Sequence, residues 1–128
     1  MTYLLDTHAL VWFMSGDSQL SARARILIDD EANELYFSVA GLWEIAIKYS
    51  LGKLNLHRPF DELFPAQLEL NSINVLDISV EHLKTVCKLP FHHRDPFDRL
   101  IVAQSVVENL PIISTDAVLD RYSVNRLW

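Results

Sequence analysis

Short apolar runs at residues 2–5, 35–39, 73–78 and 111–114, each followed by a segment of helical spacing, constrain this chain more than any other feature. The runs are too short and too uniformly apolar for strands with one wet face. They read as strands of a parallel sheet buried on both sides, with the intervening helices as crossovers. The spacing predicts helices over 7–14, 21–32, 40–51, 59–70, 80–89 and 97–109, a helical start at 116–120, and a final edge strand within 122–127. The fold class is therefore α/β. It has a central, mostly parallel sheet of four to five strands flanked by helices on both faces, in one domain spanning 1–128.

Half of the 128 residues are hydrophobic and only three are glycine, so a packed core is expected without cross-links. The single cysteine, Cys87, has no intrachain partner and reads as a small buried thiol in a reducing compartment. The apolar stretch at the N-terminus stops at Asp6 with no basic leader, and no run nears the ~20 residues of a membrane helix. The expectation is a soluble, cytoplasmic protein with no membrane contact. A formal net charge of −6 argues against holding nucleic acid by bulk positive charge. It leaves room for an enzyme whose divalent cation supplies charge locally.

The acids fall at equivalent places. Asp6 ends the first strand, Asp116 follows the fourth, and Asp95 and Asp98 open the 97–109 helix. Glu44 lies in the 40–51 helix, which is apolar on most sides and is expected to be buried all round. In an open α/β sheet, ligands bind beyond the carboxyl ends of the strands, which is where these acids should meet. Taken singly, each has an ordinary explanation. Asp is a favoured N-cap, and Asp95-Pro96-Phe97-Asp98 has the form of a cap, a proline at N1 and an acid at N3. Glu44 can pair with Lys48 four residues on. Taken together, crowded carboxylates repel each other unless protonated or bridged, and a divalent cation bridges them. Mg²⁺ and Mn²⁺ prefer oxygen ligands, offset phosphate charge and activate water. That chemistry suits phosphodiester hydrolysis without a protein nucleophile.

The sequence also resembles a known family. Leu4-Leu5-Asp6-Thr7-His8-Ala9 is similar to the opening of PIN domains of the VapC toxin type, and Trp43-Glu44-Ile45-Ala46-Ile47-Lys48 to their glutamate helix. The run from His93 through Asp95-Pro96-Phe97-Asp98-Arg99 to Gln104 resembles their third block, and Ile113-Ser114-Thr115-Asp116 their fourth. The blocks occur in order across nearly the whole chain. The resemblance implies a PIN-like fold and an endoribonuclease dependent on Mg²⁺ or Mn²⁺. It implies an RNA substrate, a cognate antitoxin as partner, and a homodimer. It places Asp6, Glu44, Asp98 and Asp116 as the catalytic, metal-holding quartet.

Around that quartet several assignments stay open. Asp95 belongs to the helix cap or to the surroundings of the metal. Thr7 and Thr115 either bond the carboxylates or are turn hydroxyls. Lys48, Arg94 and Arg99, with Lys53, His57, Arg58, His92 and His93, either receive RNA or form a solvated face, and Arg99 could instead pair with an acid. His8 reads as structural, and the five histidines show no metal-ligand spacing. Trp12, Phe13, Trp43, Phe60 and Phe64 read as core or interface. A phosphatase of the haloacid dehalogenase type would need a second Asp two residues after Asp6, where His8 stands. A receiver domain would need paired acids early, and the first sixteen residues hold one. The remaining alternatives are a non-catalytic PIN-like binding module and another Mg-dependent phosphoester hydrolase.

Overall fold

The computed structural model describes residues 1–128. Its strands are β1 (Thr2–Leu5), β2 (Glu34–Ser38), β3 (Ile73–Leu76), β4 (Ile112–Ile113) and β5 (Arg126–Leu127). All five lie in one sheet, ordered β3-β2-β1-β4-β5, and every pairing is parallel. The helices are α1 (Thr7–Ser15), α2 (Ala22–Asp29), α3 (Val39–Ser50), α4 (Phe60–Leu63), α5 (Ala66–Leu70), α6 (Val80–Val86) and α7 (Pro96–Glu108), with a 3₁₀ turn at Ala117–Arg121.

Alternation along the central strands splits the core in two. Leu5, Phe37 and Ile113 pack on one face with Leu10 of α1 and Ile45 of α3. Leu4 and Ile112 pack on the other face with Ile101 and Val102 of α7. Because both faces are covered, both members of each pair are apolar, which is why the strands read as continuous hydrophobic runs.

Most departures from the sequence reading have local causes. The second strand starts and stops one residue early because Ser38 caps α3, its Oγ accepting the Ala40 N–H at 3.1 Å. The expected helix over 59–70 is two short helices. Phe64 is extended (φ −120°, ψ 131°), as the residue before a proline tends to be. The third strand ends at Leu76, before Asp77. The helix expected over 21–32 is only Ala22–Asp29, with Ser21 as its cap.

Two burial expectations are corrected. α3 buries a stripe of Ala40, Gly41, Glu44 and Ile45, but Trp43 is 62% exposed and Leu51 also faces solvent. A helix laid on one side of a sheet needs only a stripe, so its apolar outer face is surface. Cys87 is exposed, because it caps the outer end of α6 rather than packing beneath it.

At Gly41 α3 lies directly against the Phe37 ring of β2. A Cβ there would sit 2.5 Å from Cζ of Phe37, a ring with no solvent exposure. Glycine to alanine inside a helix ordinarily gains up to about 1 kcal/mol. Here the gain is outweighed by overpacking, which costs about 1–3 kcal/mol. Gly41→Ala should therefore lower the melting temperature, by roughly 5 °C, and calorimetry showing an increase would contradict this packing.

Candidate active site

The strand order marks one crevice of the sheet. From β1 the sheet grows one way through β2 to β3 and the other way through β4 to β5. The order thus reverses between β1 and β4, and the crevice at such a switch point, past the carboxyl ends of the strands, is where α/β sheets bind ligands. Asp6 leaves β1 there, and Ser114 through Asp116 leave β4 beside it.

Each acid is set by the start of a helix or by a buried helix face. Asp6 is the N-cap of α1, its Oδ1 accepting the Thr7 N–H at 2.8 Å. Asp95 caps α7, its Oδ1 accepting from the N–H groups of Phe97 and Asp98, and Asp98 lies in the first turn. Asp116 caps the 3₁₀ turn through Val118 N–H at 3.0 Å. Glu44 sits on the buried face of α3.

One chain of hydrogen bonds threads three of the four acids. Lys48 Nζ donates to Glu44 Oε2 at 2.7 Å, and Thr7 Oγ1 donates to Glu44 Oε1 at 2.8 Å. Ser114 Oγ donates to Asp6 Oδ2 at 2.6 Å and accepts the Asp116 N–H at 3.0 Å. His93 Nε2 meets Asp116 Oδ2 at 2.7 Å. Asp98 stands outside the chain and is held near the others only by its helix.

The electrostatics record this crowding. Burial pushes the Asp98 carboxyl up to about 7, aided by repulsion from Asp95, Asp6 and Glu44 and partly offset by His93. Burial also raises Asp6, against the hydrogen bonds from Ser114 and Thr7. Lys48 is raised by its bond to Glu44, by Glu44's charge and by the fields of Asp95 and Asp98, which sets its ammonium beside the same cluster.

Residues 3–125 match the PIN domain family. The chain is a PIN domain. Solved structures of similar fold include VapBC2 from Rickettsia felis bound to a DNA fragment from their promoter. That chain is 16% identical, with 99% of this chain and 98% of that one covered and a TM-score of 0.72. VapBC-1 from nontypeable Haemophilus influenzae is 19% identical, with 99% and 97% covered and a TM-score of 0.67. A toxin–antitoxin complex from Klebsiella pneumoniae is 15% identical, with 98% and 96% covered and a TM-score of 0.64. No curated protein matches the sequence. No helix of this PIN domain is long and apolar enough to cross a membrane.

Within the PIN domain some expected neighbours of the acids take other places. Thr115 is exposed and Ser114 is the buried hydroxyl at the site. The parallel register explains this: Leu4 pairs with Ile112 and Leu5 with Ile113, so the next step sets Asp6 beside Ser114 and carries Thr115 past it. Arg99 does not face the crevice. Its side chain is buried, and the guanidinium donates to the carbonyls of Pro90, Val86 and Leu89. That excludes it from an RNA-facing surface and from pairing with an acid. Arg94 is exposed, and Lys48 is partly so. Sequence reasoning missed Ser114 and His93 as partners of the acids, and Tyr122 as the partner of His93. His93 stood among the basic residues, and the signal that could have separated it is its place in the block that carries Asp98.

No group of three or more His, Cys, Asp or Glu side chains forms a ready-made metal cage. The donor set nevertheless suits a hard divalent cation. It is all oxygen, burial and then the neighbouring acids push the Asp98 carboxyl up to about 7, and that carboxyl has no hydrogen bond to lose. Mg²⁺ commonly takes one or two carboxylates and keeps several waters.

Proposed function

We propose that this PIN domain is an endoribonuclease dependent on Mg²⁺ or Mn²⁺ that hydrolyses RNA phosphodiester bonds as the toxin of a VapC-type toxin–antitoxin pair. The observation that carries the reading is that the charges of Asp6 and Glu44 act on the half-buried Asp98 while Ser114 joins Asp6 to Asp116 beside the topological switch point. A divalent cation there would offset phosphate charge and activate a water. The protein's own part is to hold the acids: Thr7 and Lys48 fix Glu44, and Ser114 ties Asp6 to the Asp116 backbone. Asp95 caps α7 and keeps Asp98 in place from outside the metal's reach. Lys48, partly exposed, and Arg94, exposed, receive the RNA backbone beside an acidic crevice. That solved structures of similar fold are toxin–antitoxin complexes supports a cognate antitoxin as partner; a homodimeric toxin in the cytoplasm is part of the same proposal.

The test is cleavage of a structured RNA by the purified, antitoxin-free protein, with Mg²⁺ or Mn²⁺ against EDTA, beside Asp6→Asn. Metal-dependent cleavage that disappears in the variant is expected. A folded protein that cuts none of several RNAs would favour a PIN domain that serves only in protein contacts.

A further inference from the structure

Asp116 is the only acid of the quartet whose carboxylate is gripped by an imidazole, and that imidazole is itself clamped. The His93 backbone N–H donates to Tyr122 Oη at 3.0 Å, and the same phenol oxygen lies 2.9 Å from His93 Nδ1. The two rings stack at 5.5 Å and 12°. His93 is nearly buried and Tyr122 is buried.

These contacts allow one proton arrangement for the neutral ring. The backbone N–H can only donate, so Tyr122 Oη accepts it and is free to donate its own proton to Nδ1. Nε2 then carries the ring proton and donates it to Asp116 Oδ2 at 2.7 Å. The opposite tautomer would set a nitrogen lone pair against a carboxylate. A charged imidazolium also keeps Nε2–H, so the bond to Asp116 survives in either charge state. The other oxygen of Asp116 is already pinned by Val118 N–H. With both oxygens held, the carboxylate cannot swing.

We infer that His93, clamped by Tyr122, is a positioning residue that holds the Asp116 carboxylate in the orientation a divalent cation needs, an inference that rests on the reading of Asp116 as one of the acids that hold that cation. The clamp has a further structural consequence. Tyr122 lies just past the 3₁₀ turn, and His93 lies in the connection entering α7. The contact thus ties the strand end bearing Asp116 to the helix bearing Asp98, and the two halves of the site cannot drift apart. Partners of this kind, one layer behind the ligands, typically alter metal affinity 10–100-fold when removed.

The test is Mn²⁺ binding by calorimetry to the purified full chain and to His93→Ala, His93→Gln, Tyr122→Phe and Asp116→Asn, with a melting curve for each. His93→Ala should bind Mn²⁺ roughly 10–100-fold more weakly while remaining folded. His93→Gln, whose amide nitrogen can reach the place of Nε2, should recover to within about threefold of wild type, and Tyr122→Phe should fall between. A purely structural role predicts instead that affinity follows melting temperature and that glutamine rescues nothing, which would overturn the inference. If Asp116→Asn loses Mn²⁺ but folded His93→Ala binds it as wild type does, the inference alone fails. If wild type binds no Mn²⁺, or Asp116→Asn binds it unchanged, the metal reading of the site fails and the inference with it.

Discussion

Asp98→Asn is expected to reduce metal-dependent RNA cleavage by ~10³-fold, equivalent to about 4 kcal/mol of lost transition-state stabilisation, while making the metal-free protein more stable. The two effects have one cause. The Asp98 carboxyl is half-buried near the charges of Asp95, Asp6 and Glu44 and accepts no hydrogen bond, and burial above all pushes it up to about 7 from 3.8. The folded state therefore binds a proton that the unfolded chain releases. The stability this group contributes is fully present below about pH 3.8, falls as pH rises through 7, and beyond that its charge is a constant cost to the fold. Asparagine keeps the shape and removes the charge. Allowing for solvent screening, the gain at neutral pH is about 1–2 kcal/mol, or roughly 3–8 °C in melting temperature. Melting the metal-free wild type and variant across pH 4–8 should show the wild type losing stability through this window and the variant losing less. Asp6, also raised by burial, acts in the same direction and leaves a residual slope. Full activity in Asp98→Asn would remove Asp98 from the site. A variant less stable than wild type at neutral pH would show that the cluster is not under electrostatic load.

What was legible in the sequence is what depends on short range. β1 and the start of α1 follow from an apolar run stopped by Asp6, and α7 follows from Asp95-Pro96, a cap and its proline. Asp6, Asp95 and Asp116 stand out in the sequence because each caps the start of a helix or 3₁₀ turn, whereas Glu44 lies inside α3 and stands out only as a carboxylate on an apolar helix. What was not legible depends on register and on which side of an element meets a neighbour. Ser114 rather than Thr115 meets Asp6 because of a one-residue alignment between β1 and β4, two strands that pair with more than a hundred residues between them. α3 looked buried because its composition is apolar all round, yet only the tertiary arrangement decides that Trp43 faces out, edge-on to Phe97 at 5.4 Å. His93 shows the same limit. Beside His92 and Arg94 it looks like one more positive charge, and only the folded chain brings Tyr122 and Asp116 to its two nitrogens.

Arg99 shows how far a charge can lie from the role its type suggests. It lies on α7 next to Asp98 in sequence, with only 7% of its surface exposed and no carboxylate partner. Its charge is met by carbonyl oxygens at the end of α6 and in the turn beyond, Val86 and Pro90 at 3.0 Å and Leu89 at 3.4 Å, and by the Phe91 ring 4.1 Å from the guanidinium carbon. The planar fork staples residues 86–91 to α7, just ahead of His93. Arg99→Met should keep much of the apolar stem and lose all three donor contacts. Hydrogen bonds from a charged group contribute about 1.5–3 kcal/mol each, and burying an unpaired carbonyl costs about 1–3. Some of these carbonyls can turn to water, so the net loss should be about 2–4 kcal/mol. Arg99→Lys should recover little, since one ammonium cannot span carbonyls that a two-pronged group reaches together. Urea denaturation measures both variants. A methionine variant within about 0.5 kcal/mol of wild type, the range of ordinary surface changes, would mean the staple is ornamental. If the staple does hold the turn, Arg99→Met should also weaken Mn²⁺ binding through loosened His93, without any contact between Arg99 and the acids.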